Sequence, residues 1–557
     1  MLRFAILLLS FATLAAAEVR DVVWGFNGTV VPGTFAPCEL LLANPADKPV
    51  SGQVRLRDAG ALGGVPWVAE IWLPPGGEQR LRLMPFIRAD DNERRFTLSW
   101  ANGRSIADLP VPALAAPGAV LLVDDGGVPR RARLPQLPAG RFPGNAALLD
   151  GLDCVVSDGP PRSWEPVQAD ALAAWVQGGG TLALLPGARL ADLAPGLQPG
   201  GNGNGNGRGR VLVLPLVREA CGLEQLAAAG WKAPQLTEEG RSDDLDAAVA
   251  QRLAELVRPD HPWGLIRTVL IVFALLIGVF WWLGRRGFDW RWLHLGLIAL
   301  ITVTSVALAL LGRRGYGESA VWTSIAVLRP CGTQVAAEVR SSVFVTSGGQ
   351  RAIRHGGGMN LYACPGEESS INGVVGGGAL ITEIPLYSSR HLLWRGTVAL
   401  AQPSVEVVER DHGGRPSRLR IAGANGALVA AVWHGGVLRR LASQADGWHE
   451  NGGTETPQQL RDSPRRSQVA DLGEAGGTET QQLRDSPRRS QVADLGEAGH
   501  ALFPQLALRA LDLRVQRPER PCLLLLAPIP AGLAPVEGLS EPHRGLALWR
   551  IDLPEQP

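Results

Sequence analysis

Histidine is absent from this chain of 557 residues between Met1 and Asp260, although nine histidines occur in the remainder. A serine or cysteine nucleophile needs a neighbouring base, most often histidine. A Ser–His or Cys–His pair therefore cannot be assembled within the N-terminal half. The later histidines are far apart and show no H-x-H, H-E-x-x-H or H-x₃₋₅-H spacing, so the sequence predicts no zinc site.

Cysteine is also scarce, with six residues and no C-x-x-C motif, which argues against a zinc ribbon and a thioredoxin-type site. In an oxidising compartment Cys331 can pair with Cys364, because both fall within one predicted β-rich domain. Unpaired buried thiols fit the sequence equally well.

Charge of either sign is not in excess. The net charge is +1, without the basic surplus of a nucleic-acid-binding protein and without a long acidic run. We therefore expect no nucleic-acid partner. No cofactor is expected either.

Two long apolar runs are the dominant feature of the sequence. They predict transmembrane helices at 263–284 and 293–312, joined by a short cytoplasmic loop at 285–292, because each is close to the ~20 residues that cross a hydrocarbon layer. Buried core helices are the lesser interpretation, since neither run has the polar face of a soluble helix. Tryptophans and arginines crowd around the loop, as is typical of a membrane–water interface.

The N-terminus predicts the orientation of this hairpin. Residues 1–17 combine Arg3, an apolar core and the small-residue site Ala15-Ala16-Ala17, the pattern of a secretory signal peptide. Both soluble parts are then expected outside the membrane. A composition rich in Ala, Gly, Pro, Leu and Arg but poor in Lys favours a bacterial inner-membrane protein that faces the periplasm.

Residues 18–116 contain short alternating runs that are broken by Gly, Pro, Asn and Asp. The pattern predicts a small antiparallel β-sandwich of the Ig-like kind. Its expected strands are Cys38–Ala43, Gly52–Leu56, Gln79–Met84 and Arg95–Trp100.

Residues 117–235 show a different pattern, in which buried strands alternate with helical segments. This alternation predicts a parallel sheet in a small flavodoxin-like α/β domain. Ligands of such folds bind beyond the carboxyl ends of the strands. The candidate ligand-binding residues are therefore Asp124, Asp125, Ser157 and Asp158.

The order strand–Asp-Asp, LDCVVSDGP and a helix running into WVQGGGTLALLPG resembles the class I glutamine amidotransferase-like domains of bacterial membrane-anchored proteins. The resemblance implies a cysteine nucleophile on a tight turn, with a histidine and a glutamate further on. This chain has Pro186-Gly187-Ala188 at that turn. Together with the missing histidine, this implies a fold kept without the family's chemistry. Cys154, inside a predicted buried strand, is interpreted as a packing residue.

The acidic candidates have a second interpretation. An aspartate after a strand is commonly a turn or capping residue, and Ser157-Asp158-Gly159-Pro160 has the composition of a turn. Converging carboxylates would instead form a metal or general-base site.

Residues 236–262 contain an amphipathic juxtamembrane helix, expected against the α/β domain or on the membrane surface. Residues 313–557 predict a C-terminal β-rich domain. Within it, 452–498 is a tandem repeat of two nearly identical polar units, too few for a solenoid.

These patterns leave two hypotheses about function. The preferred one is a non-catalytic, membrane-anchored envelope protein that binds or scaffolds an envelope protein partner through its periplasmic domains. The alternative is a periplasmic hydrolase or amidotransferase-like enzyme that uses the acidic residues at the α/β sheet edge.

Overall fold

The computed structural model describes most of the chain between residues 17 and 553. The described residues are 17–26, 28–59, 65–88, 95–100, 105–125, 133–197, 209–235, 249, 253, 263–316, 321–345, 348–355, 358–363, 370–374, 377–385, 388–412, 414–423, 426–444, 447–456, 459, 502–508, 510–511, 521–530, 533 and 544–553. The expected signal peptide, except Ala17, and most of the tandem repeat at 452–498 lie outside them, as does Cys364.

The N-terminal segment is built from short strands. They are β1 (Glu18–Trp24), β2 (Thr29–Val30), β3 (Thr34–Phe35), β4 (Cys38–Ala43), β5 (Val50–Asp58), β6 (Trp67–Leu73), β7 (Glu78–Leu83), β8 (Phe86–Ile87), β9 (Phe96–Trp100), β10 (Ser105–Leu109) and β11 (Ala113–Leu114). One sheet has the order β1-β4-β7, and a second begins β10-β9-β5-β6. From Val54 onward in β5, and throughout β9, buried residues alternate with more accessible ones, so every second side chain lies in the core.

The next segment forms a five-stranded parallel sheet. Its strands are β12 (Gly118–Val123), β13 (Gln136–Pro138), β14 (Leu152–Ser157), β15 (Thr181–Leu184) and β16 (Arg210–Val213), in the order β13-β12-β14-β15-β16. The helices are α1 (Pro166–Gln177), α2 (Leu190–Leu193) and α3 (Leu223–Ala228). Helix α1 starts with Pro166 after a reciprocal capping pair between Glu165 and Gln168. Separate hydrophobic clusters cover the two faces of the sheet.

Two long apolar helices follow, α4 (Trp263–Arg285) and α5 (Trp290–Tyr316). Their 23 and 27 residues correspond to about 35 and 40 Å, enough to cross a bilayer. Most of their large apolar side chains are exposed, as expected of helices that face lipid. The turn between them is shorter than the predicted loop at 285–292, because Trp290, Arg291 and Trp292 already belong to α5.

The C-terminal segment is strand-rich, as predicted. Its strands are β17 (Val321–Cys331), β18 (Gln334–Val345), β19 (Gly349–His355), β20 (Met359–Ala363), β21 (Ser370–Val374), β22 (Gly377–Ile384), β23 (Ser388–Val398), β24 (Ser404–Arg410), β25 (Pro416–Ala422), β26 (Val429–His434), β27 (Val437–Gln444), β28 (Gly447–Glu455), β29 (Cys522–Pro528) and β30 (Arg544–Asp552). Eleven of them form one sheet in the order β20-β23-β18-β17-β30-β29-β26-β27-β28-β25-β24.

The remaining three C-terminal strands extend the N-terminal sheet. Strand β21 pairs in parallel with β6, so the sheet has the order β10-β9-β5-β6-β21-β22-β19. One hydrophobic cluster accordingly contains buried residues from both segments, such as Leu56 and Leu83 from the first and Trp394 from the second. The two β-rich segments are therefore a single packed unit, although the two apolar helices separate them in the sequence.

The other face of the eleven-stranded sheet is covered by helical residues 502–508 and 510–511 and by Val249 and Leu253. Val249 and Leu253 are 2% and 1% exposed, and they are the only described residues of the predicted juxtamembrane helix. The expectation that this segment lies against the α/β domain or on the membrane surface is wrong for these residues. Their apolar side chains pack on the C-terminal sheet instead.

Candidate functional site

The four candidate residues lie at one edge of the parallel sheet. Asp124 and Asp125 follow β12, and Ser157 and Asp158 stand at the end of β14. Strands β12 and β14 are parallel neighbours, so their carboxyl ends meet at the same edge. The four candidate residues therefore share one sheet edge. The hydrogen bonds and ion pairs of each side chain show whether it is available to a ligand.

The first two carboxylates hold the loop between β14 and α1. The backbone N–H of Arg162 donates to Asp124 Oδ1 over 2.6 Å, and Ser163 Oγ donates to Asp125 Oδ2 over 2.7 Å. The N–H of Gly140 donates to both oxygens of Asp125, at 2.8 and 3.0 Å. Both carboxylates thus accept hydrogen bonds from the loops of their own domain.

Ser157 and Asp158 have similar local roles. Ser157 is fully buried, and its Oγ donates to the carbonyl of Gly159 over 2.7 Å within the bend that follows β14. Asp158 forms an ion pair with Arg218, which lies after β16. This pair links the ends of β14 and β16 across the intervening β15.

The four side chains therefore act as acceptors and donors that tie three loops to the sheet edge. Within the described ranges, no group of three or more His, Cys, Asp or Glu has an arrangement that could hold a metal ion.

Two of the described thiols, Cys154 and Cys38, offer little nucleophilic character. Burial raises the pKa of the Cys154 thiol well above its ordinary value, and the nearby Asp153 carboxylate and Cys221 raise it further. Burial and the neighbouring Glu39 likewise raise the pKa of Cys38. A raised pKa keeps each thiol protonated at neutral pH, and the thiolate is the nucleophilic form. The pairing of Cys331 with Cys364 stays a prediction.

Glu39 is the centre of a contact between two segments. The sequence analysis did not predict this contact. Its carboxylate binds Arg82, with nitrogen–oxygen distances of 2.6 and 3.0 Å, and Arg141 at 2.9 Å. Arg82 also donates to the carbonyl of Gly140 over 3.1 Å. The β-rich segment is thereby fixed to the loop that Asp125 holds.

A second such contact is centred on Arg395 of β23. Its guanidinium lies 3.1 Å from Asp150 of the α/β segment and 3.8 Å from Glu338 of β18. It also donates to the carbonyl of Gly33 over 3.2 Å. One side chain thus joins all three soluble segments. No local sequence pattern marks it, because its partners are far away along the chain.

No protein-family model and no curated protein matches the chain. Among solved structures, the alkylpurine DNA glycosylase AlkC of Pseudomonas fluorescens, bound to DNA containing an abasic site analog, is 18% identical over 17% of this chain and 30% of that chain, with a TM-score of 0.13. The cycloisomaltooligosaccharide glucanotransferase of Paenibacillus sp., complexed with cycloisomaltoheptaose, is 11% identical over 68% of this chain and 70% of that chain, with a TM-score of 0.18. At such TM-scores these likenesses carry no argument about fold or function.

Proposed function

We propose that this chain is a non-catalytic, membrane-anchored protein of the bacterial inner membrane, which binds or scaffolds an envelope partner through its soluble domains in the periplasm. The observation that carries the proposal is the pairing of β6 with β21. Strands that share a ladder must meet in one compartment, so we infer that α4 and α5 cross the membrane and return. The soluble segments then lie together on one membrane face.

The periplasmic orientation rests on the N-terminal pattern of residues 1–17, which is typical of a secretory signal peptide. If this signal exports the N-terminal segment, the C-terminal segment must lie on the same side of the membrane, because β21 pairs with β6. The turn between α4 and α5 is then cytoplasmic. The positive-inside rule does not decide this orientation, because Arg267, Arg313 and Arg314 at the other end of the hairpin equal Arg285, Arg286 and Arg291 in number.

The α/β segment supports the binding role. Its strand order is β13-β12-β14-β15-β16. Numbered along this segment, the order is 2-1-3-4-5, which is also the order in flavodoxin-like folds. This order favours the resemblance to glutamine amidotransferase-like domains. The acidic side chains at the sheet edge are engaged by the domain's own loops. These contacts favour a domain that serves as a structural platform.

The outer face of the seven-stranded sheet carries exposed side chains that suit a partner surface. Trp72 is 64% exposed and Ile106 is 67% exposed, and both belong to the face that also carries Arg55 and Arg57. Exposed aromatic and arginine side chains are typical of the centres of protein interfaces. We assign the partner to this face.

The test is a crosslinked affinity purification of the full-length protein from native membranes. The matched variant carries Trp72→Ser and Ile106→Ser, which change the outer face and leave the shared core intact. A defined envelope protein that is recovered with the wild type, lost with the variant and bound again as a purified protein supports the proposal. Equal recovery with both proteins contradicts the assigned face, and the absence of any partner contradicts scaffolding.

The alternative, a periplasmic hydrolase, is favoured by one observation: Asp124, Asp125 and Asp158 share the edge where ligands of parallel sheets bind. Replacement of each aspartate by asparagine tests it, because an amide keeps the size of the side chain and removes its charge. Full function of all three variants in a complementation assay would exclude the acidic site. Loss of function with unchanged thermal stability would favour the enzyme.

A further inference from the structure

The turn between α4 and α5 has an unusual concentration of arginine and tryptophan. Arg285 ends α4, Arg286 begins the turn and Arg291 lies in the first turn of α5. Gly287 has a φ of +84°, and the N–H groups of Gly287 and Phe288 donate to the carbonyls of Gly284 and Leu283. These bonds satisfy carbonyls at the end of α4, so the arginines are not needed to cap that helix.

Two of the arginines are held in place by aromatic rings. The guanidinium of Arg285 lies 3.9 Å from the ring centroid of Trp281, and that of Arg286 lies 4.0 Å from the ring centroid of Trp282. In both pairs the arginine follows its tryptophan by four residues, so the two pairs project from adjacent positions at the C-terminal end of α4. Stacking fixes the plane of each guanidinium and leaves its N–H edge available to an acceptor.

Asp289, the acidic residue in this turn, caps a helix. Asp289 Oδ1 accepts the backbone N–H of Arg291 over 3.0 Å and so caps the start of α5. Within the described part of the chain, no carboxylate forms an ion pair with the three arginines. The turn and its flanks thus carry three arginines and one capping carboxylate.

The surrounding rings are free to contact lipid. Trp281, Trp282, Trp290 and Trp292 are between 49% and 68% exposed. Indole rings favour the depth of the lipid headgroups, which would bring the adjacent guanidinium groups level with lipid phosphates.

We propose that this arginine–tryptophan turn, defined by Arg285, Arg286, Arg291, Trp281 and Trp282, is a binding site for the phosphate of an anionic phospholipid. A planar guanidinium matches two phosphate oxygens, and a stacked one loses less conformational freedom on binding. A zwitterionic lipid brings its own cation next to the phosphate, and three arginines repel that cation. The site therefore prefers a lipid of net negative charge.

The test uses the purified full-length protein in mild detergent, with phosphatidylglycerol and phosphatidylcholine of identical acyl chains added in equal amounts. Native mass spectrometry then counts the lipids that stay bound. We expect the wild type to retain phosphatidylglycerol with a preference on the order of fivefold, as an arginine near an anionic lipid surface would give. The variant R285Q/R286Q/R291Q should lose the preference.

Two further variants make the result specific. R267Q removes an exposed arginine near the other end of α4 and should keep the full preference. R285K/R286K/R291K keeps the charge but loses the planar fork, so its preference should fall between those of the wild type and the glutamine variant. Equal melting temperatures of all variants exclude unfolding as the cause.

Equal binding of both lipids by the wild type would overturn the proposal and leave an unspecific interfacial anchor. A preference that survives in R285Q/R286Q/R291Q, or that is lost equally in R267Q, would also overturn it.

Discussion

Ile371 and Trp67 are backbone partners in adjacent parallel strands, although both apolar helices lie between them in the sequence. The next pair, Asn372 with Val68, continues the same ladder. The chain thus leaves one half of a sheet, passes through two membrane-length helices and returns to complete it. Each half of the soluble protein depends on the other for buried contacts.

This relationship predicts that the protein tolerates a cut in the turn between the helices. A protease site inserted between Gly287 and Phe288 should give two fragments that co-purify in detergent through a tag on one of them, because a shared sheet and core hold them together. Helices α4 and α5 also contact each other. The same cut in a Gly296→Val background, which loosens the helices, should therefore still give co-purification. Fragments that separate in both backgrounds would contradict the shared core.

Arg395 is expected to be a stabilising contact among the three soluble segments. Arg395→Ala removes its ion pairs with Asp150 and Glu338 and its hydrogen bond to Gly33. We expect the free energy of unfolding to fall by about 2 kcal/mol, less than for a fully buried pair because Arg395 keeps some contact with solvent.

The matched control for Arg395 is Arg420→Ala. Arg420 pairs with Glu406 at 2.9 Å, and both side chains are more than 60% exposed. Such a surface pair contributes less than about 1 kcal/mol. Urea denaturation followed by tryptophan fluorescence measures both variants, and equal losses would refute the special role of Arg395.

Gly296 permits close packing of the two apolar helices. A Cβ atom at this position would lie 2.6 Å from Cε1 of Phe280, nearer than non-bonded carbon atoms approach. Gly296→Val should therefore displace the Phe280 ring, loosen the packing of α4 on α5 and reduce disulfide crosslinking between cysteines introduced on their facing sides. Gly278→Val is the control, because a Cβ there has no neighbour within 4 Å. Unchanged crosslinking in Gly296→Val would show that the helices do not pack at this position.

His391 predicts a pH dependence of stability. Burial, and next the neighbouring Arg390, lower the pKa of its imidazole below the ordinary value of 6.5. Its Nδ1 has no hydrogen-bond partner among the described residues, and its cross-strand neighbour on the same face is Ser342. The unfolded chain therefore binds a proton more readily than the folded chain, so stability should fall as the pH drops below about 6.5.

His391→Gln should reduce that loss of stability between pH 7.5 and 5.5, measured as the shift of the urea midpoint. His412→Gln, in the exposed turn between β24 and β25, serves as the control and should keep the full pH dependence. An identical shift in the wild type and His391→Gln would assign the pH dependence to other groups.

Local patterns predicted much of the secondary structure. Strand β4 has the predicted bounds Cys38–Ala43. Helix α1 begins at Pro166, where the capping pair of Glu165 and Gln168 marks its start. The apolar runs predicted α4 and α5 because length and composition alone are sufficient for such helices. Strand β13 was missed because three residues are too short to show a period.

The contacts between segments could not be predicted from the sequence, for a different reason. The partners of Glu39 and Arg395 are set by how sheets pack, and one arginine among many carries no local signal. For the candidate site, the position of Asp124, Asp125, Ser157 and Asp158 after their strands was predictable from the α/β alternation. The hydrogen bonds that neighbouring loops donate to Asp124 and Asp125 were not predictable, because they depend on loop geometry.

The most direct test of the account is the labelling of single introduced cysteines with a membrane-impermeant thiol reagent in sealed membrane vesicles. Ser51→Cys and Ser404→Cys are exposed positions in β5 and β24, and Phe288→Cys lies in the turn between the apolar helices. We predict that Ser51→Cys and Ser404→Cys are labelled from the same side and Phe288→Cys only from the other. Labelling of Ser51→Cys and Ser404→Cys from opposite sides would contradict the shared sheet and with it the membrane hairpin.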